Sequence, residues 1–187
     1  MRKLRRSLAT AAVMALAAAG AVVGTAGPSS AGSGMNLEMF QKIQFGMSRQ
    51  QVLDIVGPGV CDPDEFGDRT GLSCRAYSDD YPPYANFDFN AADQLNRKSQ
   101  EKLLNPTNPQ LTLANYNKVT TGMTVDQVMT VLGRGSCVVW GEEYPAYPSK
   151  AGWQIDFQCR AATGAGWAHV WFTDDTLRGK SKNSSLN

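Results

Sequence analysis

Phe40-Gln-Lys-Ile-Gln-Phe-Gly46-Met47-Ser48-Arg-Gln-Gln51-Val52-Leu-Asp-Ile-Val-Gly57-Pro-Gly59-Val-Cys61 and Tyr116-Asn-Lys-Val-Thr-Thr-Gly122-Met123-Thr124-Val-Asp-Gln127-Val128-Met-Thr-Val-Leu-Gly133-Arg-Gly135-Ser-Cys137 are two copies of one stretch. Gly46 and Gly122, Gln51 and Gln127, and Cys61 and Cys137 each stand 76 residues apart, so the block repeats without a gap. Chance does not readily put Gly-Met, Gln-Val, two glycines and a cysteine in one register. The chain reads as a tandem duplication.

Ser48-x-x-Gln51 and Thr124-x-x-Gln127 are capping boxes, in which hydroxyl and amide satisfy orphan donors at a helix start. Val52, Ile55 and Val56, and likewise Val128, Val131 and Leu132, recur at helical spacing and give each helix one apolar stripe. Gly57 and Gly133 stand where a left-handed C-terminal cap is expected. Upstream, 37–44 and 113–119 read as shorter leading helices turned at Gly46 and Gly122, so each copy opens with a helix–turn–helix hairpin. The hairpin has no basic face, which argues against DNA as its target.

Outward from the repeat, Met1-Arg-Lys-Leu-Arg-Arg6 is a basic start followed by an alanine-rich apolar run and small residues up to Ala31. This is the pattern of a secretory signal peptide over 1–31 rather than of a membrane anchor. Its removal takes four of the 18 basic groups and none of the 17 acidic ones, leaving a mature net charge of about −3. A mildly acidic secreted chain is a poor nucleic-acid binder.

Units of this size bury little core and often need staples, and the four cysteines suit an exported chain. Three pairings are open. Duplication favours equivalent bridges, Cys61–Cys74 and Cys137–Cys159. With no Cys-x-x-Cys and one histidine, no metal or other cofactor is expected.

After Cys61 the run 62–71 is turn-rich and leads to a strand around 72–77, then to the acidic, proline-stiffened loop Ser78-Asp79-Asp80-Tyr81-Pro82-Pro83-Tyr84. Ala85, Phe87 and Phe89 alternate with polar residues as in a half-buried strand, a further strand is expected over 94–103, and 105–110 reads as a linker. In the second copy, Ile155 and Phe157 alternate with Gln154, Asp156 and Gln158. Matching Ala85 to Ala168 and Phe89 to Phe172 turns Ala168, Val170 and Phe172 toward the helices and Trp167, His169 and Trp171 to the other face. Exposed aromatics of this kind mark protein interfaces. Trp140, Tyr144 and Tyr147 add to the aromatic count, with no indication of their face. Paired cysteines leave no thiolate, and adjacent Asp79-Asp80 seldom hold an acid/base geometry. The chain reads as a binder, not an enzyme.

The tandem Gly-Met-[Ser/Thr]-x-x-Gln-Val blocks, Asp80-Tyr81, Lys98-Ser-Gln-Glu101-Lys102-Leu-Leu104 and Tyr144-Pro-Ala-Tyr-Pro-Ser149 together resemble the β-lactamase inhibitory protein family of streptomycetes, over roughly 36–182. The resemblance implies an α+β fold of two tandem domains, each a helix–turn–helix hairpin on a four-stranded antiparallel sheet. It also implies that the two sheets form one joint concave surface. The domains would be 36–104 and 111–187, with 105–110 between them. In the family that surface clasps class A β-lactamases while two loops enter the active site. By the resemblance, Asp80 places a carboxylate among the enzyme's donors beside Tyr81, where charge-assisted bonds are strong. Glu101 and Lys102 match a buried charged pair, and Phe66, Trp140 and Trp171 match aromatic contacts.

The departures carry equal weight. The family's second inhibitory loop is cut to Arg160–Gly166 and lacks its phenylalanine, while Ser73, Pro82, Ser181 and Asn183 replace a histidine, a tyrosine, an arginine and a tryptophan. Each lost hot spot can cost about 2 kcal/mol. Two partners are therefore expected of a secreted monomer: a class A β-lactamase, or another cell-envelope protein such as a penicillin-binding protein bound without inhibition.

Overall fold

The structure, a computed structural model, describes residues 34–66, 69–77 and 81–187, without the side chains at 65, 66 and 69. The signal peptide read at 1–31 and the loop residues Asp79 and Asp80 lie outside the described residues, as does the side chain of Phe66.

Each copy of the repeated block folds as its capping signals dictate. The first gives α1 (Leu37–Lys42) and α2 (Arg49–Val56), the second α3 (Leu113–Lys118) and α4 (Val125–Leu132). Ser48 Oγ accepts the Gln51 N–H while Gln51 Oε1 accepts the Ser48 N–H at 2.8 Å, and Thr124 and Gln127 repeat the exchange at 2.9 Å. The leading helices end short of the expected 44 and 119, because Ile43 and Val119 turn extended and bury their side chains. Gly57 and Gly133 take φ of 83° and 92°, open to glycine at little cost, but ψ of 170° and 119° makes them extended turns instead of left-handed caps.

The Gly-Met pair has a structural reason. Gly46 N–H donates to Leu95 O at 2.9 Å and Leu95 N–H donates to Met47 O at 2.8 Å; Gly122, Leu177 and Met123 make the same exchange at 3.1 and 2.8 Å. Each Gly-Met is thus a rung laid against the last strand of its copy. From the same hairpins, Asp93 accepts the Arg49 N–H at 3.3 Å and Asp175 the Val125 N–H at 3.1 Å, placing a carboxylate at a helix start where the dipole favours it. Lys98 and Lys180 reach back across the sheet to the Ile43 and Tyr116 carbonyls at 3.3 and 2.7 Å, each over an aromatic ring.

The strands are β1 (Cys61–Phe66), β2 (Arg69–Arg75), β3 (Tyr84–Phe89), β4 (Leu95–Glu101), β5 (Cys137–Glu143), β6 (Gln154–Arg160), β7 (Trp167–Thr173) and β8 (Thr176–Lys182). They form one antiparallel sheet in chain order. The stretch expected to be turn-rich is instead strand β1 and the start of β2, paired from Cys61↔Cys74 through Phe66↔Arg69. β1 tolerates Pro63 because it is an edge strand, where no ladder donor is needed outward. Both disulfides join directly opposed residues, Cys61–Cys74 and Cys137–Cys159, as duplication favoured.

The two expected four-stranded sheets are continuous, since β4 pairs with β5 through Arg97↔Glu143, Lys98↔Glu142 and Ser99↔Gly141. The segment 105–110 is held at both ends. Buried Gln100 accepts the Leu103 and Leu104 N–H groups at 3.0 Å and donates to Val139 O at 2.8 Å, and buried Ser136 accepts the Gln110 N–H and donates to Asn108 O. The helices cover one face. Val52 and Val56 pack with Leu72 and Phe87 in one apolar cluster, and Val128 and Leu132 with Val170 and Phe172 in another. No described helix is long and apolar enough to cross a membrane.

Candidate functional site

Among the described residues no helix lies over the other face of the sheet, and strand alternation decides what it carries. On β7, Ala168, Val170 and Phe172 are buried toward the helices, while Trp167 and His169 are half-buried and Trp171 is 38 % exposed. Trp140 joins them from β5. A register shift between Val139 and Gly141 makes Trp140 the extra residue of a bulge, and its ring stands 5.3 Å from His169, edge to face. Trp167 flanks the same imidazole at 5.1 Å. The sequence places Trp167, His169 and Trp171 on this face by alternation, and the same alternation from Cys137 and Val139, which pack against the core, was the available signal for Trp140.

His169 is held by more than rings. Gln158, opposite it on β6, lies 3.2 Å from Nε2 and in turn accepts from Arg160 at 3.0 Å. Burial pushes the imidazole pKa below its ordinary value, with Glu101 pulling it up and Arg160 pushing it further down. A base whose folded pKa is lowered takes up its proton more readily when unfolded. Stability from this group therefore rises with pH up to the ordinary 6.5 and is flat above. An NMR titration of the His169 Cε1–H should show a midpoint below 6.5, and His169→Gln should remove that part of the stability slope. A midpoint above 6.5 would contradict the packing described.

The first-copy loop meets this face at Glu101. Tyr84 donates to Glu101 at 3.2 Å, and burial together with that carboxylate pushes the phenol up to about 12. Exposed Tyr81 packs edge-on to Tyr84 at 6.4 Å, with a positive φ of 36°. Glu101 and Lys102 part ways. Glu101 stays half-buried on the open face, while Lys102, at φ 62°, is exposed, donates to Tyr81 O at 2.9 Å and covers the Tyr81 ring at 4.0 Å. Asp80 is outside the described residues, and of Phe66 only the backbone pairing with Arg69 is described.

Tyr144 and Tyr147 lie elsewhere. Tyr144 packs 4.6 Å from Phe45, stacks near Trp153 at 6.3 Å and donates to Glu142, and Tyr147 donates to Phe45 O at 3.3 Å. This aromatic loop locks the two copies together on the helix side. A further cluster went unread in the sequence: Arg97 pairs with Asp88 at 2.9 Å and Glu143 at 3.6 Å, beside Asp156, whose pKa burial raises. Alternation of Gln154, Asp156 and Gln158 was the available signal. The shortened second loop is a tight turn, with Ala161 N–H donating to Gly166 O and Gly164 N–H to Ala161 O, both at 2.9 Å. Asn183 ties it down by accepting the Trp167 N–H and donating to Ala165 O.

Fold and site together define an α+β protein with an eight-stranded antiparallel sheet, one face of which is lined with aromatic rings and, among the described residues, bears no helix. A family model described as Beta-lactamase inhibitor (BLIP) matches residues 36–159, and the chain belongs to that family, whose members are inhibitors rather than enzymes. A crystal structure of a candidate β-lactamase inhibitor protein from Streptococcus mutans is similar, at 12% identity and a TM-score of 0.48, over 83% of this chain and 91% of that one.

Proposed function

We propose that the chain is a secreted, monomeric inhibitor-like protein of two repeat units, 36–104 and 111–187, that binds a class A β-lactamase through the open sheet face with the Asp80-Tyr81 loop directed into the active site. The observation that carries this reading is the packing of Trp140 and Trp167 on His169, with exposed Trp171 beside them on a face that no described helix covers, continuous through Glu101 with the base of that loop. Rigid aromatic rings on a preformed sheet supply contact area at little cost in lost freedom. A second reading, a non-inhibitory paralogue docking the same face on another envelope protein such as a penicillin-binding protein, is favoured by one feature. The turn 160–166 is closed on itself and pinned by Asn183, which leaves it nothing to insert.

Titrating the mature protein against a panel of class A β-lactamases, with hydrolysis of a chromogenic substrate as readout, separates the two. Under the first reading inhibition is competitive, Asp80→Ala abolishes it, and Trp171→Ala weakens it by roughly 30-fold with the melting temperature nearly unchanged. Absence of inhibition at tens of micromolar would sink the first reading and leave the second, to be tested by direct binding to purified penicillin-binding proteins.

A further inference from the structure

We propose that Gly179 is a positioning residue, present to seat the Trp171 indole across β8 in a single orientation on the open face. Trp171 and Gly179 are opposed across β7 and β8. A methyl group on Gly179 would stand 2.6 Å from Trp171 Cε2 and 2.9 Å from its Nε1, closer than carbon atoms approach. The ring therefore occupies the space that any side chain at 179 would fill. Backbone conformation does not call for the glycine, because Gly179 is not among the positive-φ residues.

The duplication supplies an internal control. Leu95 and Leu177 make the same exchange with their Gly-Met pairs, and Lys98 and Lys180 the same reach to the leading helix. Arg97 therefore occupies in the first copy the place of Gly179, and opposite it stands Asp88 where the second copy has Trp171. Both pairs sit beside a register shift, between Asp88 and Phe89 and between Trp171 and Phe172. One backbone thus carries two solutions: an ion pair of 2.9 Å in the first copy, and a large ring laid over a bare strand in the second. A position that accepts arginine in one copy needs no glycine for folding. With one edge against the backbone, the indole is 38 % exposed and already ordered, so a partner need not immobilise it.

The significance for binding rests on the docking reading above; the seating itself does not. Four proteins are compared with wild type: Gly179→Ala, Trp171→Ala, their double variant, and Trp171→Asp with Gly179→Arg, which transplants the first copy's pair. In ¹⁵N spectra, Gly179→Ala should move the Trp171 indole N–H resonance while those of Trp140, Trp153 and Trp167 stay, with the melting temperature held within about 2 °C. The transplanted pair should fold. Against a β-lactamase that binds wild type, Gly179→Ala should lose on the order of tenfold in affinity, and the double variant no more than Trp171→Ala alone. An unmoved Trp171 resonance, additive losses in the double variant, or failure of the transplanted pair to fold would each overturn the assignment. If no β-lactamase binds wild type, the docking reading falls and the indole spectrum alone judges the seating.

Discussion

Gln100→Leu is expected to lower unfolding free energy by about 3 kcal/mol, and so to lower the melting temperature by roughly 10 °C for a chain of this size. Gln100 is 2 % exposed and its amide makes three bonds to backbone groups, accepting from Leu103 and Leu104 and donating to Val139 O on β5. Leucine fills similar volume and leaves three backbone groups without their partner, at about 1 kcal/mol or more each. The position makes the loss felt by both copies, because β4 and β5 share only three paired positions. Gln100→Glu should fall between, since its carboxylate keeps both N–H bonds but loses the donor to Val139 and buries a charge. Thermal and urea denaturation of the two variants provide the check. A Gln100→Leu protein as stable as wild type would show that water satisfies all three groups.

Most of the helical architecture was legible because its signals are local. A capping box needs four residues, and both copies fold as Ser48-x-x-Gln51 and Thr124-x-x-Gln127 dictate. What the Gly-Met pair does was not legible, since its partners Leu95 and Leu177 stand about fifty residues downstream and meet it only after the sheet forms. Strand β1 escaped notice for a different reason. Asp62, Pro63, Asp64 and Glu65 have poor strand propensity, and their conformation is imposed by pairing with β2 and by the Cys61–Cys74 bond. The joining of the sheets through β4 and β5 depends on a tertiary contact that composition does not encode.

The same division applies to the open face. Period-two alternation placed Trp167, His169 and Trp171 correctly, because β7 is regular up to Trp171. It would also have carried Trp140, since Cys137 and Val139 pack against the core and the bulge shifts the phase only from Gly141 onward, but it does not reach Tyr144 and Tyr147, whose loop folds back on Phe45. Glu101 and Lys102 are neighbours in sequence, yet the positive φ of Lys102 turns its side chain to Tyr81. Bulges and left-handed residues redirect side chains without leaving a periodic trace.

Removal of the second disulfide should be the covalent change felt furthest from its own site. Cys137→Ala with Cys159→Ala opens a loop of 22 residues and Cys61→Ala with Cys74→Ala one of 13, so chain entropy assigns each about 3 kcal/mol, the longer loop slightly more. Cys74 and Cys159 are fully buried on the helix side, which adds a packing loss to both pairs. The two changes differ in what they release. Cys61–Cys74 fastens the edge strand β1, whereas Cys137–Cys159 fixes the register of the β5–β6 hairpin three residues before Trp140. Loss of the second bridge should therefore lower the melting temperature by roughly 10 °C and also shift the His169 ring signals, since Trp140 packs on that imidazole at 5.3 Å. Loss of the first should lower stability comparably and leave the His169 signals in place. Calorimetry and one-dimensional NMR of the two double variants distinguish these outcomes. Equal perturbation of His169 by both would mean that the rings on the open face are held by the whole sheet, with no special role for the hairpin that carries Trp140.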